Sequence, residues 1–169
     1  MTISKSRRLA CIALCMLVAT STAFALDKPK GKVILTISGK VESKNAGDTA
    51  DFDMAMLAAL PQHSFTTKTP WYPTEIKMTG PLLRDVLAAA GAKGTVLTAA
   101  ALNDYKTTIP LEDTSKYDVI VARLMDGKPM PVRNKGPLFI IYPFNAHPEL
   151  QVERYYNRSA WQLRTLSVK

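Results

Sequence analysis

The stretch "TGPLLRDVLAAAGAKG", residues 79–94, reads as the clearest helix of the chain. Thr79 or Gly80 stands near its start, and Pro81 falls in the first turn, where a missing N–H costs little. Leu82, Val86 and Leu87 share one face, with Leu83 and Ala90 beside it, and Gly91 supplies the stop. One shorter helix precedes it: "DFDMAMLAALP", residues 51–61, which Asp51 or Asp53 can cap and Pro61 ends.

Around these two helices the chain reads as strands. "KVILTISGKV" (32–41) sets Val33, Leu35 and Ile37 against polar neighbours and stops at Gly39, and "HSFTTKT" (63–69) alternates until Pro70. Further strands are expected in "TVLTAAA" (95–101), "DYKTTIP" (104–110), "PLFIIYP" (137–143) and "WQLRTLSVK" (161–169). "DVIVARLMDGKPM" (118–130) reads as a strongly apolar strand followed by a turn at Asp126-Gly127. Strands outnumber helices, and few long helices separate them. The expectation is an α+β domain with a mixed, partly barrel-like sheet and a few short helices, not a doubly wound one.

At the start of the chain, Lys5, Arg7 and Arg8 precede an apolar run, and "AFA" follows at residues 23–25. That is the pattern of a secretory leader, with cleavage expected after Ala25, a periplasmic product and a single domain over residues 26–169. Both cysteines, Cys11 and Cys15, lie in the leader, so cysteine nucleophiles, thiolate metal sites and CxxC pairs are excluded from the remainder. Beyond residue 25 the chain keeps 19 of its 22 basic residues and all 14 acidic ones, a formal charge of +5. The charges are dispersed, which argues against nucleic acid, and no second segment is apolar enough to cross a membrane.

Standard catalytic signatures are missing. His63 and His147 are the only histidines and lack metal-ligand spacing, and no GxSxG, GxGxxG or GxxxxGK[ST] occurs. What remains is a set of polar and aromatic residues at strand ends and turns. The candidate ligand-binding residues are Thr67, Thr69, Trp71, Tyr72, Asn103, Tyr105, Arg123, Arg133, Lys135 and His147. Trp161 is assigned to the core. Arg123 sits inside an apolar run, where a charge needs an ion pair or a cavity, and either role is open to it.

Five segments in order, "GPLLRDVLAAAGA" (80–92), "ALNDYKTTIP" (101–110), "YDVIVARLMDGKPM" (117–130), "KGPLFIIYP" (135–143) and "WQLRTLSV" (161–168), resemble the oxidoreductase molybdopterin-binding domain. The resemblance covers roughly residues 32–169 and implies the mixed α+β fold of the sulfite oxidase family, which in full-length relatives holds a molybdenum–pterin cofactor. It places "TTKTPWY" (66–72) where those relatives carry the cysteine that binds molybdenum, and Phe139 where they often carry an arginine. A threonine hydroxyl is a hard ligand that stays protonated at neutral pH, a poor substitute for a thiolate.

The expectation is a non-catalytic periplasmic module without the cofactor. It would bind a small anionic ligand or dock a periplasmic or membrane sensor protein. The alternative is a molybdenum–pterin oxidoreductase that holds its cofactor without cysteine.

Overall fold

The computed structural model describes residues 26–169; the expected leader, residues 1–25, lies outside the described residues. In chain order the elements are β1 (Leu35–Gly39), β2 (Ala50–Phe52), α1 (Met54–Ala59), β3 (Gln62–Thr67), β4 (Ile76–Pro81), α2 (Leu83–Ala89), β5 (Val96–Ala101) and β6 (Lys106–Pro110). They continue with α3 (Leu111–Lys116), β7 (Ile120–Ala122), β8 (Leu124–Met125), β9 (Lys128–Pro129), β10 (Phe139–Ile141), α4 (Glu153–Arg158), β11 (Ala160–Trp161) and β12 (Leu163–Val168). Two 3-10 turns, Val132–Asn134 and Pro148–Leu150, interrupt the loops.

The described strands form three sheets, ordered β2-β1-β12-β5-β6, β3-β4-β8-β9 and β11-β10-β7. The first is mixed, because β1 runs parallel to β12 and antiparallel to β2. This is the expected α+β architecture with short helices. No sheet closes into a barrel: the three sheets keep open edges and share one core. Leu35 and Ile37 of β1, Leu97 and Ala99 of β5, and Leu166 and Val168 of β12 point into that core, as strand alternation requires.

The helix read at residues 79–94 begins at Leu83, not at Thr79. Thr79, Gly80 and Pro81 instead complete β4, whose pairing with β3 runs from Thr67↔Ile76 to Gln62↔Pro81. Gly80 is required there by contact. A Cβ on it would collide with the Val121 backbone carbonyl, so the residue lets β4 lie against β7. The helix face is as expected: Leu83, Val86 and Leu87 are buried, and Gly91 turns the chain with φ 61°.

Of the two possible caps for α1, Asp53 performs the task. Its Oδ1 accepts from Met56 N at 2.8 Å, while Oδ2 accepts from Lys30 N and Gly31 N at 2.9 and 2.7 Å. Asp51 lies in β2. The one-turn helices α3 and α4 escape sequence reading because six residues hold too few apolar positions to show a period.

The apolar run at 118–130 divides between two sheets. β7 pairs with β10, and β8 pairs with β4, so the chain changes sheet at Arg123. That resolves the charge inside the run. Arg123 lies at the switch, partly exposed, with its amide donating to Thr79 O at 2.9 Å and Nε to Gln62 Oε1 at 2.8 Å. The Asp126-Gly127 turn joins β8 to β9 with φ 49° and 77°, the backbone of a tight hairpin. No helix among the described residues is long and apolar enough to cross a membrane.

Candidate functional site

The segment after β3 carries the site. Thr67 ends the strand fully buried, and Thr69 is buried two residues on. Thr69 Oγ1 accepts from Trp71 N at 3.3 Å, and Thr67 Oγ1 reaches only the Lys68 carbonyl, at 3.4 Å. Asn145 anchors the loop from the far side. Its Oδ1 accepts from Lys68 N at 2.9 Å, and its Nδ2 donates to Glu75 Oε1 at 2.8 Å.

That anchoring lays Trp71 into an aromatic cluster. Its ring centroid lies 5.6 Å from Phe139, 6.3 Å from Phe144, 5.9 Å from Tyr156 and 5.6 Å from Trp161. These are tilted and edge-on contacts, the geometry that ring quadrupoles favour. Tyr105 stacks on the outer side of Trp161 at 6.3 Å and 7°, and its hydroxyl donates to Asn157 O. Lys135 Nζ lies 5.1 Å from the Trp161 ring and 5.3 Å from that of Tyr72. The Tyr72 hydroxyl is buried with no hydrogen-bond partner among the described residues, and burial raises its pKa by disfavouring the phenolate.

Beside the cluster opens a cleft of about 310 Å³ lined by Lys68, Thr69, Pro70, Gln151 and Tyr156. Lys68 is its one cationic side chain, exposed and in no ion pair among the described residues.

The structure therefore gathers Thr67, Thr69, Trp71, Tyr72, Tyr105 and Lys135 into one region. It places the remaining candidates elsewhere. Arg123 is held by Gln62 at the sheet switch. Arg133 is exposed on a 3-10 turn. Asn103 accepts from Tyr105 N in the β5–β6 turn. His147 packs edge-on against Tyr117 at 5.1 Å, with Glu149 at 3.4 Å from its Nδ1.

Trp161, assigned to the core, is half-buried and forms the cluster's outer wall. Gln151 is the addition that the sequence did not single out; it meets Lys68 of the hydroxyl-rich segment and Tyr156, one of the aromatic residues already noted near strand ends. The cleft joins loops 80 or more residues apart, and no local pattern marks Gln151.

A family model for the oxidoreductase molybdopterin binding domain matches residues 27–146. The chain belongs to this family. No curated protein matches it significantly.

Among molybdopterin-binding oxidoreductase domains, this one has donors that do not fit the metal. Residues 26–169 hold no cysteine, and no group of three or more His, Cys, Asp or Glu side chains converges among the described residues. The two threonines are buried and engage backbone groups next to them. Molybdenum held through sulfur would find only neutral hydroxyls here.

Proposed function

We propose that this chain is an exported, non-catalytic member of the molybdopterin-binding oxidoreductase family. It works in the periplasm without the cofactor and uses the Lys68–Tyr156 cleft to bind a small anionic ligand or to dock a sensor protein. The observation that carries this reading is the position of Trp71. Its amide donates to Thr69, in the segment where the resemblance places the metal-binding cysteine. Its ring packs on Phe139, where the resemblance places an arginine. Both departures thus meet beneath one side chain, and Trp71 fills the space between them with aromatic contact.

An ammonium group at the cleft mouth and the aromatic wall of Tyr156 suit an anion with a planar or apolar body. The family fold fixes the frame, while the activity follows from the groups in the site.

The test is metal and pterin content. The full-length chain, expressed in a host that makes molybdenum–pterin and recovered from the exported fraction, is expected to be folded and to contain neither. Near-stoichiometric molybdenum by mass spectrometry, with pterin fluorescence after oxidation, would overturn the reading in favour of an oxidoreductase. Retention of the protein in the cytoplasm would overturn its exported part.

A further inference from the structure

The segment that carries Lys135 also supplies Val132 and Pro137 to a second concavity of about 280 Å³, which shares no lining residue with the Lys68 cleft. Its walls are unusual for a protein surface. Val33, Leu102 and Val132 are 40%, 41% and 50% exposed, three of the five exposed large hydrophobic residues among the described residues. Scattered singly, such residues are ordinary. Here they come from three distant parts of the chain and face one groove, with Leu163 buried in its lining.

The groove is pre-formed by one residue. Gln162, held at φ 53°, accepts from Leu102 N through its carbonyl at 2.9 Å. Its Nε2 donates to Val132 O at 2.8 Å, and its amide donates to Lys135 O at 2.9 Å. Gln162 thus clamps the segments bearing two of the three exposed walls. No ligand is needed to order them, which removes part of the usual entropic cost of binding.

The charge at this site has one sign. Lys32 and Arg164 are its ionisable lining residues, both exposed, and neither takes part in an ion pair among the described residues. An apolar trough flanked by an ammonium and a guanidinium suits a ligand with one apolar chain and one anionic head. A volume just below the usual range for ligand sites, ~300 to 1,000 Å³, restricts that ligand to a single short chain and excludes a two-chain lipid.

We propose that this groove binds a small aliphatic carboxylate, with its chain along Val33, Leu102 and Val132 and its head group on Lys32 and Arg164. The site is independent of the Lys68 cleft, so the two readings stand or fall separately.

The experiment is a titration of the purified full-length protein with butanoate, hexanoate and octanoate, by calorimetry and by amide NMR shifts. Affinity is expected to rise up to roughly fourfold per added methylene. Shifts should cluster at Val33, Leu102, Val132 and Arg164. Arg164→Gln and Lys32→Gln should each weaken octanoate binding by roughly 2- to 5-fold. Leu102→Asn should abolish it while the thermal midpoint stays put, because Leu102 is exposed.

Any of four results overturns the proposal. These are no saturable response to octanoate up to about 10 mM, shifts confined to the Lys68 cleft, octylammonium binding as tightly as octanoate, or full affinity in Leu102→Asn.

Discussion

The rings of Trp71 and Phe139 lie 5.6 Å apart, and Phe139 is fully buried beneath the indole. This contact makes the change at position 139 hard to reverse. Phe139→Arg places a guanidinium at a fully buried position between the rings of Trp71 and Trp161. The expected loss exceeds about 3 kcal/mol in urea unfolding. Wild-type stability in the variant would show that position 139 opens onto a polar cleft.

The two buried threonines are structural on this account. Thr67→Val removes a hydroxyl whose only partner among the described residues is 3.4 Å away, and is expected to shift stability by less than about 1 kcal/mol. Thr69→Ala loses the acceptor for Trp71 N and is expected to cost about 1 kcal/mol. Chemical denaturation of the two variants distinguishes these costs. Wild-type stability in Thr69→Ala would contradict its structural role.

Behind the cluster, Asp113 joins two partners through one oxygen. Arg158 Nη1 lies 2.7 Å from Oδ2 and the Tyr142 hydroxyl 2.8 Å from it. Burial, then the Asp113 carboxylate, push the Tyr142 phenol up, so it remains a donor. Tyr142→Phe is expected to cost about 1 kcal/mol. Asp113→Ala should cost about 3 kcal/mol, because it leaves a mostly buried guanidinium unpaired. A double-mutant cycle of Asp113→Ala with Arg158→Leu measures their coupling, and strict additivity would show that the pair contributes nothing.

Acid sensitivity should trace to Asp53. Backbone N–H groups, that of Met56 foremost and then Gly31, hold its carboxyl below the ordinary value of 3.8. A folded pKa beneath the unfolded one gives stability that is present above the unfolded value. That stability is lost as pH falls through the folded one. Urea midpoints taken from about pH 6 down to about pH 2 should therefore decline at the acid end. The decline should be shallower in Asp53→Asn, which is also less stable at neutral pH because its amide nitrogen cannot accept from Lys30 or Gly31. An unchanged acid slope would remove Asp53 as the cause.

Gly80→Ala tests the close approach of β4 to β7. The added methyl meets the Val121 carbonyl, and backbone cannot swing aside as a side chain would. A loss of about 3 kcal/mol in thermal or urea unfolding is expected, at the upper end for overpacking. A neutral result would mean that the two strands separate without cost.

The sequence alone determined the class of fold and much of its punctuation. Strand alternation, the Asp126-Gly127 turn, the stop at Gly91 and a cap at Asp51 or Asp53 are local signals. Each depends on the backbone and side chain of a few adjacent residues, and the structure has a strand, turn, stop or cap at each. The absence of cysteine after residue 15 was equally plain, and with it the absence of a thiolate for the metal.

Tertiary structure decided the rest. Only pairing with β3 assigns Thr79–Pro81 to a strand, since the same residues suit a helix start. Only the change of sheet at Arg123 explains a charge in an apolar run. Trp71 gains its meaning from Phe139, Tyr156 and Trp161, and the second groove from Gln162, all placed by long-range contacts that no sequence period encodes. Local chemistry sets what each segment can form. Which side chains share a site depends on how the sheets pack, and packing is a property of the whole chain.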